Sequence, residues 1–261
     1  MTIRKIATAV LIVYALFVAY VIFISPFSGR YQPLLTPLLT LLAFTFALLH
    51  GSQSLGWKRM CLLLGLTFGV SLLFESVGVA TGLVYGSYHY TDRLGAKFLG
   101  LVPYLIPVAW FMMTYPTYII AESLVPFGGK PWVRLFLLSA VGGVVMTSWD
   151  LAMDPLMVTG GHWVWEQPGA YFGIPIHNFW GWWLTIFVTF TLFVITGQHK
   201  PTVKGIGSRF GQLAIWSYAI TGLSSVILDF QSGLSGPGLV GLFAMGPWVL
   251  LSWWNTRSGR S

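Results

Sequence analysis

Charge is scarce in this chain. Lys, Arg, Asp and Glu make up 8% of its 261 residues, and only seven residues carry a carboxylate. Soluble domains average about 25% charged residues, so a water-facing surface is excluded for most of the molecule. Cysteine is nearly absent: Cys61 has no second cysteine to meet, which rules out an intramolecular disulfide and a cysteine metal site. Internal repeats and low-complexity tracts are missing too, so the chain reads as a single integral membrane domain over 1–261.

Apolar and aromatic residues take up the space instead. The chain is 56% hydrophobic, with thirteen Trp and nineteen Phe, and its mean hydropathy is +0.75. A bilayer crossing needs about 20 apolar residues, and such runs recur at 6–25, 33–50, 60–81, 99–121, 132–150, 176–197, 210–228 and 238–254. The expected fold class is therefore all-α: a polytopic transmembrane helical bundle of about eight spans. Gly65/Gly69 and Gly78/Gly82 have the spacing of close helix packing.

Lys and Arg collect in cytoplasmic loops. With eight spans, Arg4, Lys5, Lys58, Arg59, Lys130, Arg134, Lys200, Lys204, Arg209, Arg257 and Arg260 fall on one side, and only Arg30, Arg93 and Lys97 on the other. This predicts a multi-pass cell-membrane protein with both termini cytoplasmic. The scattering of these residues through short loops accounts for the pI of about 9.6 and excludes nucleic acid as a partner. The first span follows a basic start but lacks a small-x-small cleavage site in ISPFSGRYQP, so it reads as a retained helix.

Two extracytoplasmic connections are long, 82–98 and 151–175, and both are rich in Gly, aromatics and His. Aromatic residues seek burial or the membrane interface, so these loops are expected to pack as a cap over one end of the bundle. Beside them stand the acids that require a reason, since an ionisable group at bilayer depth costs about 2.5–3.5 kcal/mol on insertion scales. Glu75 lies roughly 9 Å inside the end of its span, at about 1.5 Å per residue; it is either catalytic or a hydrogen bond to a neighbouring helix. Asp150 and Asp154, four apart, share a helix face if the fifth helix continues to Pro155. Adjacent carboxylates repel, and such pairs share a proton, which suits a general acid with its partner; the alternative is that Asp154 is a turn residue before proline.

Tyr85, Tyr88, Tyr90, Trp149, Trp163, Trp165, Tyr171, Trp180, Trp182 and Trp183 surround the acids, as belt residues at the interface or as the lining a carbocation needs. His89, His162 and His177 raise a metal hypothesis, but no H-x-x-x-H spacing supports one, so no metal ligand is assigned. Asp229 reads as a helix-end or loop contact, and His50 and Glu122 as structural.

The segments FESVGVATGLVYGSYHYTD, VPYLIPVAWFMMTYP, SWDLAMDP and HWVWEQPGAYFGIPIHNFWGWW occur in that order between about residues 70 and 185. Together they resemble the membrane-integral carotenoid biosynthesis family of bisanhydrobacterioruberin hydratase and bacterial carotenoid 1,2-hydratase type. By that resemblance Glu75, Gly86, Tyr88, Tyr90, Trp110, Asp150, Asp154, Pro155, Trp163, Trp165, Gly173, Pro175, Asn178, Phe179, Gly181 and Trp182 carry the family pattern. The resemblance implies a hydro-lyase that adds water across the terminal C1=C2 (isopropylidene) double bond of an acyclic or monocyclic carotenoid, giving a tertiary alcohol without a cofactor. Asp150 and Asp154 are then expected to supply the proton, and Glu75 or the remaining carboxylate to position or deprotonate water. Tyr88, Trp163, Trp165 and Trp180 would shelter the cation, with Tyr90, Trp110, Asn178 and Trp182 completing the substrate site. The expected partners are a carotenoid, the lipid bilayer and other carotenoid-pathway enzymes.

Other classes compete. An intramembrane prenyltransferase holds Mg²⁺ and diphosphate with two acid clusters on the cytoplasmic side; this chain has one, on the other side by charge bias. A proton-coupled lipid or carotenoid transporter uses buried carboxylates as relays, and a carotenoid-binding protein would need the aromatics without the three acids.

Overall fold

The computed structural model describes residues 2–25, 34–126, 128–197 and 205–258. Arg30, Lys200, Lys204, Arg260 and most of the ISPFSGRYQP stretch lie outside the described residues. Within them stand eight helices, one for each apolar run: α1 Ile3–Phe23, α2 Leu35–Ser54, α3 Trp57–Thr81, α4 Leu105–Leu124, α5 Pro131–Thr159, α6 Ile176–Thr196, α7 Leu213–Gln231 and α8 Ser235–Arg257. Seven are long and apolar enough to cross a membrane. The eighth, α4, is the axis of the bundle, packed against α2, α3, α5, α7 and α8. Every side chain from Met113 to Ser123 on it is buried, including Thr114, Tyr115, Thr117 and Tyr118. A helix that meets protein on all sides needs no lipid-facing stripe and can carry polar groups wherever they find partners.

The bundle has two unlike ends. At one, Arg4 lies over the Phe210 ring, Arg59 over Phe193, and Arg134 pairs with Glu122. His50, with its ring nitrogens 2.5 Å from the Tyr115 hydroxyl and 2.6 Å from the Phe210 carbonyl, ties α2 to α4 and to the segment before α7. These contacts give His50 and Glu122 structural roles. The opposite end carries the aromatic connections, which form the expected cap. Tyr88–Tyr90 (β1) and Trp163–Trp165 (β4) pair antiparallel with Tyr88 opposite Trp165 and Tyr90 opposite Trp163. Side chains alternate across a strand, so these four rings share the face turned into the bundle while His89 and Val164 point out.

Two boundaries differ from the sequence expectation. The run beginning at 99 does not open a helix. Lys97–Phe98 (β2) turns back on Val102–Pro103 (β3) through Leu99 (φ 50°) and Gly100 (φ 72°), and α4 starts only at Leu105. At the other boundary, α5 continues past residue 150 and through Pro155 to Thr159. Proline removes the N–H that would bond the carbonyl four residues back, Leu151. The Tyr171 hydroxyl donates to that carbonyl at 2.8 Å, so the freed acceptor is satisfied from the loop and the helix persists. The loop is correspondingly shorter, 160–175.

The glycine reading is also corrected. Nothing lies near a Cβ added at Gly65 or Gly69, which face outward. Gly78 makes room for the Tyr85 ring, and Gly82 (φ 74°) ends α3. Close helix contact is made at Gly142 and Gly143, where a Cβ would meet the Phe190 and Trp183 side chains of α6 at 2.3 and 2.6 Å.

Candidate active site

The continuous α5 puts Asp150 and Asp154 one turn apart on a common face, 0% and 1% exposed. Across from them α6 opens at Pro175, and its first turn carries Asn178. One amide nitrogen of Asn178 donates to both acids, 2.8 Å to Asp150 Oδ2 and 2.7 Å to Asp154 Oδ2. Asp154 Oδ1 accepts from the Trp163 indole at 2.7 Å. Asp150 Oδ1 is buried and has no hydrogen-bond partner among the described residues.

Glu75, 3% exposed in the last two turns of α3, is held by donors alone. Tyr90 donates to Oε2 at 2.8 Å, Tyr88 donates to the same oxygen at short range, and the Trp110 indole donates to Oε1 at 2.9 Å. Burial, and then the Glu75 carboxylate beside them, hold the Tyr88 and Tyr90 phenols well above their usual range, so both remain protonated and donate. The strand pair therefore wires the acids together: Tyr90 reaches Glu75, its ring meets Trp163 edge-on at 5.8 Å, and Trp163 reaches Asp154.

Glycine and tyrosine positions fix this cap to the helices. A Cβ at Gly181 would stand 2.5 Å from the Tyr85 ring and the Val84 carbonyl, so only glycine lets the 84–85 segment lie on α6, where the Tyr85 hydroxyl meets Thr185 at 2.8 Å. Gly86 (φ 104°) lets the chain turn beside Trp165 and Pro175.

Glu75 and Asp154 border a cavity of about 190 Å³ that Tyr88, Tyr90, Trp110, Trp149, Trp163, Trp165, Asn178 and Trp182 also line. Its middle is tryptophan: Trp182 stacks on Trp110 at 4.1 Å, and Trp149 stands edge-on to Trp182 at 5.9 Å. Asp150 lies behind Asn178 and does not border the cavity. Most of the residues singled out in the sequence thus converge. Trp180 does not: it is 57% exposed on the outer face of α6, stacked on Trp183 at 4.8 Å. At 100° per residue, Trp180 and Trp182 point to opposite sides of α6, so Trp182 enters the site and Trp180 faces out.

The histidines do not gather. His89 Nδ1 meets Glu166 Oε1 at 2.6 Å on the exposed side of the strand pair, His162 Nδ1 faces the Met157 carbonyl at 3.3 Å, and His177 is exposed. Among the described residues no three His, Cys, Asp or Glu side chains form a group able to hold a metal ion. Asp229 is buried against Gly238 with neither carboxylate oxygen hydrogen-bonded among the described residues, while its carbonyl accepts from Leu234 N–H at 2.8 Å.

Sequence reasoning missed part of the cavity lining: the hydroxyl residues Tyr14 of α1, Thr36 and Thr40 of α2, and Thr221, Ser224 and Ser225 of α7. The available signal was weak: hydroxyl residues at i, i+4 on α2 and i, i+3, i+4 on α7, inside otherwise apolar spans.

A bundle of membrane-crossing helices with Glu75 and Asp154 on a tryptophan-lined cavity, and Asp150 joined to Asp154 through Asn178, defines a multi-pass membrane protein with an acid site at one end. Comparison with known proteins places it further. The family model described as "Carotenoid biosynthesis protein" matches residues 35–247, and the chain belongs to that family. A bisanhydrobacterioruberin hydratase from Haloarcula japonica is 37% identical over 120 residues, which span 46% of this chain and 39% of that protein. The chain therefore matches well under half the length of that relative. No solved structure matches.

Proposed function

We propose that this protein is a carotenoid hydratase that adds water across the terminal isopropylidene double bond of an acyclic or monocyclic carotenoid. The observation that carries the reading is the cavity, lined by two buried carboxylates and by tryptophans, in a chain whose family is described as carotenoid biosynthesis protein, which supports a polyene as the substrate class. Ring faces attract a cation by about 0.5–2 kcal/mol each, which favours a site where positive charge develops on carbon.

The chemistry is proton-neutral. The aspartate pair carries one proton, which Asp154, the member bordering the cavity, delivers to the less substituted alkene carbon. The new C–H bond leaves a tertiary cation on the neighbouring carbon. A water lone pair closes the C–O bond, and the oxonium proton returns to the aspartate pair, which is thereby reset. Asn178 holds the two carboxylates in register, and Asp150 behind it shares the proton. Glu75, fixed by three donors, is the standing negative charge that favours the cation. Only the end group of a polyene meets polar groups, and a cavity of about 190 Å³ suits an end group while the rest of the chain remains in the bilayer. The excess of Lys and Arg at the opposite end of the bundle orients the site toward the extracytoplasmic side, with both termini cytoplasmic.

The test is expression in cells that accumulate an acyclic C40 carotenoid, with mass analysis of the extracted pigments. A product heavier by one water supports the proposal. Its absence with acyclic C40, acyclic C50 and monocyclic precursors alike sinks it. A prenyltransferase would instead lose activity on Mg²⁺ chelation, to which a hydratase is indifferent.

A further inference from the structure

The cavity has two unlike sets of polar residues, and the reaction above uses only one of them. The acids stand on α3 and α5; Tyr14, Thr36, Thr40, Thr221, Ser224 and Ser225 line the same cavity from α1, α2 and α7. A polyene offers them neither donor nor acceptor. Back-bonding to the helix explains where their protons go: Thr40 donates to the Thr36 carbonyl at 2.9 Å, Thr221 to Ser217 at 2.9 Å, and Ser224 and Ser225 to Thr221 at 2.7 and 3.3 Å. It does not explain why the hydroxyls meet at one place, since threonines such as Thr45 and Thr196 make the same bonds on the outer surface of the bundle.

With their protons committed to carbonyls, the oxygens of Thr40, Thr221, Ser224 and Ser225 present lone pairs. Thr221 has its second bond with Tyr14 at 2.8 Å, and Ser225 accepts from the Trp149 indole at 3.2 Å; that indole belongs to the aromatic middle of the cavity. A small molecule received by such a wall donates its hydrogens to it. Water that donates both hydrogens keeps both its own lone pairs free, which is the form a tertiary cation captures.

We propose that the hydroxyl wall of α1, α2 and α7 is the water-holding subsite, so that protonation comes from the acids of α3 and α5 and the capturing water from a different set of helices, with the cation sheltered by Trp110, Trp149 and Trp182. The inference rests on the hydratase reading and separates its two steps. The proton passes from the aspartate pair to carbon, the water oxygen bonds to the cation, and the oxonium proton returns to the aspartate pair, which is reset. If water is not in place, the cation loses a proton and the alkene is restored.

The experiment follows both fates in D₂O, using membranes that contain the full chain and an acyclic carotenoid, with the variants Ser224→Ala and Thr40→Val and, as a control outside the cavity, Thr45→Val. Among the described residues the Ser224 hydroxyl bonds only within its own helix, to the Thr221 carbonyl, so its loss breaks no contact between helices. Hydrated product is read alongside recovered alkene that carries deuterium at the protonated carbon. The expected result is a fall in hydration of about tenfold, the effect of one lost hydrogen bond, together with a rise in deuterated alkene; the control matches wild type. Hydration that is unchanged in both variants, or hydration and exchange that fall in parallel, overturns the inference. A wild-type protein that yields neither product nor exchange overturns the hydratase reading itself, and the water subsite with it.

Discussion

Replacing Glu75 by Gln tests the site where its hydrogen bonding is most constrained. Both carboxylate oxygens accept, Oε2 from two tyrosines and Oε1 from Trp110. Glutamine has one oxygen. Placed at the Oε2 position, it keeps both tyrosines and turns its NH₂ against the indole N–H; placed the other way, the NH₂ meets two tyrosine hydroxyls. The first leaves a buried donor facing a donor, and the second makes the phenols accept and strands the protons they gave to the carboxylate; either costs about 1–3 kcal/mol in stability. The loss of charge acts separately, on the rate. Removing a preorganised electrostatic partner of the transition state costs about 2.7–4 kcal/mol, or roughly 10²–10³ in turnover. The assay measures product per folded enzyme in membranes, with thermal unfolding of purified protein alongside. Glu75→Asp, which keeps the charge at a shorter reach, is expected to fall between wild type and Glu75→Gln. Wild-type turnover in Glu75→Gln would refute the reasoning, because the negative charge would then have no part in the reaction.

Four further outcomes follow from the geometry. Asn178→Leu breaks both bonds that hold Asp150 and Asp154 together, and turnover is expected to drop by about 10² or more as the reacting group loses its position; activity assays at constant protein level check this. Tyr171→Phe strands the Leu151 carbonyl that Pro155 frees, with an expected loss of about 1–3 kcal/mol in unfolding measurements. Trp182→Ala removes a wall of the cavity and is expected to abolish turnover, whereas Trp180→Ala, on the outer face of α6, is expected to leave it intact; pigment analysis of the two strains separates them. Reporter fusions within 166–169 are expected to be extracytoplasmic and fusions after Arg257 cytoplasmic, and the reverse pattern would contradict the proposed orientation.

Seven of the helices were legible because lipid contact imposes long apolar runs; α4, enclosed by protein, was legible only because its sequence stays largely apolar between its buried tyrosines and threonines. The end of α5 was not. Pro155 carries a local stop signal, and the group that overrides it, the Tyr171 hydroxyl, lies 20 residues away at the carbonyl of Leu151. The acids themselves stood out, since a carboxylate in an apolar run has few ordinary explanations. Their partners were legible as a set of aromatic residues and not as a geometry. Whether Trp180 or Trp182 enters the site depends on the rotational phase of α6, which neighbouring tryptophans in sequence do not reveal. The hydroxyl wall was hidden for another reason: Thr and Ser back-bonded within a helix look alike in sequence whether they line a cavity, as Thr221 does, or lie on the outer surface, as Thr196 does.

The most direct measurement is the pigment profile of cells accumulating an acyclic carotenoid and expressing the wild-type chain, Asp150→Asn or Asp154→Asn, each verified in the membrane. The account predicts a product one water heavier for wild type, its loss in Asp154→Asn, and a severe reduction in Asp150→Asn. A hydrated product that persists undiminished in Asp154→Asn would contradict the assignment of the aspartate pair as the proton source.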